Sequence, residues 1–201
     1  FPEGSFAPKQ LTYRYEPTND RWYREFVWGP FLPQHNADEH SDQATVNHVI
    51  GLLDEIPAGQ KFFMNCGIYR PHVPWYVPQQ YFDAFPLELM QMPESVVDDR
   101  VDLPESANKK IDREPYYDAL DKAGVHREAT RAYLASVMYM DDMVGQVLEA
   151  LDASPHADNT IVVFWSDHRF HMGEKERYRK FSPWDASTHV PANLRLPQAP
   201  G

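Results

Sequence analysis

Residues 160–168 read Thr160-Ile161-Val162-Val163-Phe164-Trp165-Ser166-Asp167-His168, and they give the strongest indication of the fold. The first six are apolar or β-branched, a pattern typical of a strand covered on both faces. Polar residues follow directly at the carboxyl end of this strand. Ligands of open α/β sheets bind beyond that end of the strands. The stretch therefore predicts a buried strand that leads into a binding site.

A helix and a second strand are predicted upstream. Ser41-Asp42 is a candidate helix start, and apolar residues follow at helical spacing over 42–55. Pro57 and Gly59 end this helix, and the apolar run 61–66 then predicts a buried strand. The succession of helix, turn and strand is typical of α/β proteins. A second long helix is predicted over 127–152, with a buried stripe of Leu134, Val137, Met138, Val144, Val147, Leu148 and Leu151.

The segment 67–80 is predicted to be an irregular loop, because it contains Pro71, Pro74 and Pro78. It leaves the carboxyl end of the strand predicted over 61–66, so Arg70 and His72 are expected at the same edge of the sheet as Asp167 and His168. Residues 84–125 are predicted to be surface loops with short helical turns, and a last strand is predicted over 192–196.

Charge and composition exclude several classes of function. The 201 residues carry 19 Lys and Arg against 30 Asp and Glu, a net charge of −11, which disfavours nucleic acid as the main partner. No apolar run reaches the roughly 20 residues of a membrane span. The single cysteine, Cys66, excludes an internal disulfide. Residues 166–180 are locally basic, which fits either a solvated surface or a site for a small anion.

Asp167 and His168 are candidate metal ligands at the end of the predicted strand. A carboxylate supplies charge and an oxygen donor, and a neutral imidazole supplies a nitrogen donor. Two donors do not complete a site, since calcium takes six or more. The alternative is that Asp167 caps the following turn and His168 packs against the protein.

Three ordered motifs resemble the sulfatase family, most closely its iduronate-2-sulfatase-like branch. Within residues 166–191 the matching positions are Ser166-Asp167-His168, Phe170, Met172-Gly173-Glu174, Lys180-Phe181, Trp184-Asp185 and Ser187-Thr188-His189-Val190-Pro191. Upstream, Lys61-Phe62-Phe63 and Tyr69-Arg70-Pro71-His72-Val73-Pro74-Trp75 resemble the family's strand and its P-H-x-P loop. Tyr133–Val137, Met140–Asp142 and Val144-Gly145 resemble the helix before the S-D-H strand. The resemblance covers most of residues 42–191.

The resemblance implies an α/β fold, part of an α/β/α sandwich with a mainly parallel sheet of the alkaline-phosphatase-like type. It implies that Asp167 and His168 hold a calcium ion, or magnesium, under the sulfate. Lys180 would contact a sulfate oxygen and His72 would face the sulfate or the leaving oxygen, so both are the expected catalytic residues; cations and proton donors suit such chemistry. The expected substrate-binding residues are Arg70, Phe170 and His171.

The sequence departs from the family pattern at the nucleophile. Family members use a formylglycine made in a C-x-P-S-R-type motif, which this sequence lacks. Cys66 lies in Cys66-Gly67-Ile68-Tyr69-Arg70, which matches only the Cys and Arg positions, and we interpret it as a structural thiol. The family's first pair of metal-binding aspartates is also missing, since Asp141-Asp142 fall in a helix and Asp98-Asp99 in a loop. Arg169 replaces the family's glycine after D-H.

We therefore expect residues 1–201 to form an incomplete sulfatase-type catalytic domain, with a loop-rich lead-in over 1–41 and the matched region over 42–201. The nucleophile-bearing half with its formylglycine, and the family's small C-terminal domain, are expected to be absent, so the chain alone should be inactive. The expected partners are a sulfated small molecule or saccharide and the missing N-terminal half, on the same or a separate chain. Only the resemblance indicates export, to a periplasm, a lysosome or the outside.

Two alternative functions stay open. One is a non-catalytic sulfatase-like module that binds an anion or a partner, which the missing nucleophile and Arg169 favour. The other is a phosphate or phosphonate ester hydrolase of the same superfamily. The Lys180-Phe181 motif and the Thr188–Pro191 motif favour a sulfatase over the second alternative.

Overall fold

The computed structural model describes residues 28–31, 40–94, 96, 98–112 and 116–197. These residues form a mixture of helices and short strands, as an α/β protein requires. The strands are β1 Trp28–Phe31, β2 Trp75–Pro78, β3 Val162–Trp165, β4 His171–Met172, β5 Tyr178–Arg179 and β6 Ala192–Arg195. The helices are α1 Ser41–Glu55, α2 Gln79–Asp83, α3 Glu105–Asp112, α4 Tyr116–Ala123, α5 His126–Ala153 and α6 Asp185–Thr188. Most of the predicted lead-in lies outside the described residues.

The two long helices confirm the predicted pair. Helix α1 begins at Ser41 and ends at Glu55, just before Pro57, and its buried face includes Val46, Val49 and Leu53. Helix α5 has 28 residues and packs against α1. No described helix combines the length and apolar character needed to cross a membrane.

The buried stripe of α5 differs from the predicted one. Of the predicted positions only Leu151 is buried, and Met138 is exposed. Small residues occupy the buried face instead, among them Ala129, Ala132 and Ala135. Helix α5 packs against α1, α2 and the β1–β2 pair, and small side chains allow close approach there. The larger aliphatic residues of α5 lie beside this contact and stay half-buried.

A parallel pair of strands occupies the centre of the core. Strands β1 and β2 pair with Trp28 opposite Trp75. Trp75 and Val77 are fully buried, and Trp75 packs against Trp28. Part of the segment predicted to be an irregular loop is therefore a strand. Its prolines are tolerated because Pro74 precedes β2 and Pro78 ends it, and the pair has only two strands.

Strands β3 and β6 form an antiparallel pair with one open face. Val163 lies opposite Leu194, and Trp165 lies opposite Ala192. Every second residue of β3 is exposed, so the prediction of a strand covered on both faces is wrong for this chain. No other described segment packs over these residues. We call the exposed apolar residues of this pair the open face: Ile161, Val163, Trp165, Ala192, Leu194 and Leu196.

The segment predicted to be a strand over 61–66 has no regular secondary structure. Exposure alternates along it, with Phe63 open to solvent and Phe62 half-buried, which is the pattern of a strand covered on one side. A strand needs a hydrogen-bonding neighbour, and no described segment pairs with this one. The prediction of a buried strand over 61–66 is therefore wrong for the structure described.

Candidate active site

Three separate segments bring His72, His168 and Lys180 together. His72 lies in the loop before β2, His168 follows β3, and Lys180 follows β5. The Lys180 Nζ atom is 2.9 Å from His72 Nε2 and 2.6 Å from His168 Nε2. The centroids of the two imidazole rings are 6.1 Å apart. Residues far apart in sequence thus meet at one ammonium group, although among the described strands β2 and β3 lie in separate pairs and do not share the predicted sheet edge.

Hydrogen bonds at the opposite ring nitrogens fix the tautomers of both histidines. The Nδ1 atom of His72 lies 2.7 Å from the Val73 carbonyl, and Nδ1 of His168 lies 2.9 Å from the Arg169 carbonyl. Because a carbonyl only accepts, each Nδ1 carries the proton and each Nε2 presents a lone pair to Lys180. Burial, with a contribution from the Lys180 charge, lowers the pKa of His72 and favours its neutral form.

Lys180 lies between two residues with left-handed backbone. Arg179 has φ of 83° and Phe181 has φ of 66°. Such a conformation costs a non-glycine residue on the order of 1–3 kcal/mol, so neighbouring contacts must hold it. Arg179 donates to the Tyr116 hydroxyl at 2.8 Å, and the buried Arg177 donates to the Lys180 carbonyl at 2.8 Å. The position of the Lys180 side chain is therefore set by its surroundings.

Asp99, of the pair that the sequence places in a loop, contacts the hairpin formed by β4, β5 and the residues between them, which precedes Lys180. Lys175 Nζ lies 2.8 Å from Asp99 Oδ1, and the Lys175 backbone N–H donates to Asp99 Oδ2 at 3.2 Å. Lys110 donates to the Phe181 carbonyl. The other pair, Asp141-Asp142, lies exposed on α5. Asp99 thus pairs with Lys175, and Asp142 accepts from the Tyr81 hydroxyl at 2.7 Å.

Asp167 and His168 supply two donors of suitable type for a metal ion, which is fewer than a complete coordination shell requires. The Asp167 side chain is 86% exposed, and its Oδ2 lies 3.7 Å from His168 Nε2. A carboxylate oxygen and an imidazole nitrogen are suitable donors for a divalent cation. Among the residues that the structure describes, no group of three or more His, Cys, Asp and Glu side chains is arranged to hold a metal.

The three residues predicted to bind substrate have different surroundings. Arg70 is buried, and its Nε and Nη2 both donate to the Tyr76 carbonyl at 3.3 Å. Phe170 is half-buried and packs against Trp75, with ring centroids 5.6 Å apart. His171 is fully buried, with Nε2 2.6 Å from Ser182 Oγ. Only Phe170 among them combines partial exposure with a place beside the His72 loop.

Cys66 has the surroundings of a structural thiol. It is half-buried and packs against the hydrophobic core. Burial raises the pKa of its thiol, which disfavours the reactive thiolate. These features agree with the interpretation that Cys66 is not the nucleophile.

A buried polar group that no sequence motif indicates lies behind the His72 loop. The sequence pattern places Asp42 only at a helix start. Its carboxylate in fact accepts hydrogen bonds from the backbone N–H groups of Tyr69 and Arg70. The buried His40 lies beside it and hydrogen-bonds the Tyr76 carbonyl at 3.1 Å. No sequence signal around Asp42 indicates this second role, because the contacts come from a distant loop.

Two buried histidines should make the folded chain less stable as the pH falls. Burial lowers the pKa values of His40 and His171 below the ordinary 6.5. The unfolded chain therefore takes up protons first, so we expect the free energy of unfolding to decrease as the pH falls below about 6.5, by up to about 1.4 kcal/mol per pH unit for each histidine that stays neutral. Urea denaturation between about pH 7.5 and 5.5 measures this slope.

The matched variants for the pH experiment are His40→Gln and His48→Gln. His48 is exposed on the same helix, so its replacement should leave the slope unchanged, whereas His40→Gln should flatten it. A free energy of unfolding that stays constant over this pH range in the unmutated chain would contradict the prediction.

Comparison with known proteins identifies the family. Residues 6–200 match a family model described as Sulfatase. This chain belongs to the sulfatase family. A sulfatase from Formosa agariphila is 36% identical over 209 residues, covering 100% of this chain and 39% of the relative. Human iduronate 2-sulfatase is 32% identical over 168 residues, covering 78% of this chain and 30% of the relative. The resemblance seen in the motifs is confirmed.

Solved structures confirm the α/β, alkaline-phosphatase-like fold. A phosphonate monoester hydrolase from Silicibacter pomeroyi superposes with a TM-score of 0.72 at 20% identity, covering 97% of this chain and 40% of the other. At this identity the likeness concerns the fold alone. The chain thus spans well under half the length of the proteins it matches, 39% and 30% of the two relatives.

Proposed function

We propose that this chain is part of a metal-dependent sulfatase that hydrolyses sulfate esters of a saccharide. The observation that carries the proposal is the Lys180 ammonium held between the imidazoles of His72 and His168. A sulfate ester is anionic throughout its hydrolysis, so a fixed cation beside it stabilises the transition state. A protein of the same fold, at 17% identity and a TM-score of 0.59, is described in complex with its substrate D-glucosamine-2-N,6-O-disulfate, which supports a sugar sulfate as the substrate class.

Lys180 and His72 are the proposed catalytic residues. The ammonium is a compact charge suited to an oxyanion, and we assign it to a sulfate oxygen. His72 Nε2 faces the same point with a lone pair, and burial, with a smaller contribution from the Lys180 charge, lowers the pKa of the ring and favours its neutral form. A neutral imidazole takes up a proton near neutral pH and returns it to a leaving oxygen, which is the general acid–base role.

Asp167 and His168 are the proposed ligands of a calcium or magnesium ion. Bound there, the ion would supply positive charge beneath the sulfate; the remaining donors of its coordination shell would come from outside the described residues. The His168 Nε2 atom has one lone pair, so it cannot accept from Lys180 and bind a metal at the same time. We infer that Lys180 exchanges this hydrogen bond for a sulfate oxygen when His168 serves as a ligand.

The three remaining residues are proposed to shape the substrate pocket. Phe170, which is half-buried beside Trp75, would contact the sugar directly. Arg70 and His171 are buried, so we assign them indirect roles, in which each holds a segment that carries a catalytic residue. Arg70 holds the loop of His72, and His171 lies in the hairpin of Lys180.

We propose that the formylglycine nucleophile is supplied by the N-terminal half of the catalytic domain, on the same or a separate polypeptide. The sequence contains no C-x-P-S-R-type segment. The open face on β3 and β6 exposes Trp165 to 60% and Leu194 to 61%, and large exposed apolar patches mark contact surfaces. This half would cover the open face and place the nucleophile near Lys180.

Sulfate release tests the proposal. We expect the 201-residue chain alone to release no sulfate from an aryl sulfate or from a D-glucosamine sulfate, because it has no nucleophile. Together with a polypeptide that carries the C-x-P-S-R-type segment, it should release sulfate in a calcium-dependent manner, measured by ion chromatography. Turnover by the chain alone would contradict the expectation.

The same assay distinguishes the alternatives. Binding of a sulfated saccharide without any turnover in the complemented protein would indicate the non-catalytic module, for which the exposed Arg169 would be a contact. Turnover of a phosphonate monoester in preference to sulfate esters would indicate the other hydrolase class, whose fold this chain shares.

A further inference from the structure

Asp42 is a buried carboxylate to which the proposed reaction gives no role. It is only 2% exposed, at the start of α1. A buried charge is stable only when it is hydrogen-bonded or paired. The Oδ1 atom of Asp42 accepts from the Tyr69 N–H at 2.9 Å, and its Oδ2 atom accepts from the Arg70 N–H at 3.2 Å. The carboxylate thus binds two successive amides of a loop 27 residues away.

Tyr69 connects this carboxylate to His72. The Tyr69 hydroxyl donates to the Val73 carbonyl at 2.9 Å and lies 2.8 Å from His72 Nδ1. Because its single hydrogen goes to the carbonyl, the hydroxyl accepts from His72 Nδ1–H. The two rings also pack together, with centroids 4.7 Å apart. The Tyr69 hydroxyl and the Val73 carbonyl, which lies 2.7 Å from the same nitrogen, therefore both favour the tautomer in which His72 Nε2 is free of hydrogen.

Buried neighbours keep the Asp42 carboxylate in place. The backbone N–H of Asp42 donates to His40 Nδ1 at 3.4 Å, so His40 carries its hydrogen on Nε2 and donates it to the Tyr76 carbonyl. Arg70 donates to the same carbonyl. The loop of His72 is thereby held at Tyr69, Arg70 and Tyr76, before and after the histidine.

We propose that Asp42 is a positioning residue: by holding the Tyr69 and Arg70 amides it fixes the loop in which the Tyr69 hydroxyl and the Val73 carbonyl both accept from His72 Nδ1–H, so that His72 keeps this tautomer and directs Nε2 at Lys180. The inference rests on the proposed function for its catalytic meaning, since Lys180 Nζ lies 2.9 Å from His72 Nε2. It makes a separate structural statement about the protonation of one imidazole, which holds whether or not the protein hydrolyses sulfate esters.

Nitrogen-15 NMR of the histidine rings at about pH 7.5 tests the proposal in this chain. We expect His72 to give the shifts of a single Nδ1–H tautomer in the unmutated chain. Asp42→Asn, which cannot accept from both amides, should give a mixture of the two tautomers. Asp54→Asn, an exposed aspartate of the same helix, should give the unmutated spectrum. A single Nδ1–H tautomer in folded Asp42→Asn would overturn the proposal.

Two further measurements cover the case in which Asp42→Asn does not fold. In the unmutated chain the Tyr69 and Arg70 amides should be protected from hydrogen exchange to the level of the core of α1, and exchange at the rate of an open loop would overturn the proposal. Tyr69→Phe should keep the single Nδ1–H tautomer in a folded chain, because Asp42 still holds the loop and the Val73 carbonyl still accepts, and mixed tautomers there would overturn the role of the held loop.

The complemented enzyme gives a kinetic test. Asp42→Asn should lower kcat on the order of 10- to 100-fold with KM little changed, because a misplaced catalytic group mainly affects the chemical step. Asp54→Asn should leave both constants unchanged. A rise in KM alone would contradict a positioning role. Absence of sulfatase activity in the unmutated complex would bear on the proposed function, while the NMR result would stand by itself.

Discussion

Replacing Lys180 with alanine is expected to lower kcat of the complete sulfatase on the order of 10²–10³-fold. The ammonium lies at the meeting point of His72 and His168, and its charge is the one we assign to the sulfate oxygen. Loss of that charge leaves the developing negative charge without its partner in a partly buried site, where electrostatic interactions are strong. Steady-state kinetics on an aryl sulfate, with calcium present, measure the loss.

Two variants separate charge from packing in this experiment. Lys180→Met keeps most of the side-chain volume without the charge, so it should be as slow as Lys180→Ala. Lys122→Ala, at an exposed position of α4, should retain full activity. An unchanged rate for Lys180→Ala would remove Lys180 from the site, and a slow Lys122→Ala would indicate a general loss of folded protein.

The meeting of His72, His168 and Lys180 could be predicted from the sequence because each belongs to a local motif. Polar residues directly after two apolar segments are expected at one edge of an α/β sheet. The family pattern adds Lys180 to that edge. The structure brings both imidazoles within hydrogen-bond distance of Lys180 Nζ, but the described strands beside them, β2 and β3, belong to separate pairs and not to one sheet edge.

Burial could not be predicted equally well, because an apolar pattern does not say what covers it. The run over 160–165 was expected to be covered on both faces, yet this chain leaves Val163 and Trp165 exposed. The same limit affects α5, where Met138 is exposed and Ala132 is buried. A side chain's size and polarity are local properties, whereas its burial depends on the segment that packs against it.

Tertiary hydrogen bonds could not be predicted from the sequence for a related reason. Nothing in the pattern around Asp42 indicates that its carboxylate reaches the amides of Tyr69 and Arg70. The left-handed backbone at Arg179 and Phe181 was equally hidden, since neither residue type favours it. Both features depend on contacts between distant segments, and both surround a proposed catalytic residue.

Replacing Trp75 with alanine is expected to lower the free energy of unfolding by about 3–5 kcal/mol. Trp75 is 0% exposed and packs against Trp28, Tyr133 and Phe170. Its Nε1–H donates to the Pro71 carbonyl at 2.7 Å, so the loop that carries His72 also loses a contact. Urea denaturation of the chain at neutral pH gives the difference, read from the midpoint and the slope of the transition.

Trp165→Ala is the matched control, because it removes the same side chain from an open position. Trp165 is 60% exposed on the open face, so in the isolated chain its loss should cost about 1 kcal/mol or less. Equal costs at the two positions would contradict the assignment of Trp75 to the core. In the complemented protein the cost at Trp165 should rise towards that at Trp75, since the proposed partner half would bury it, whereas the cost at Trp75 should stay the same. The change at Trp165 therefore measures how far the open face is covered, independently of any catalytic activity.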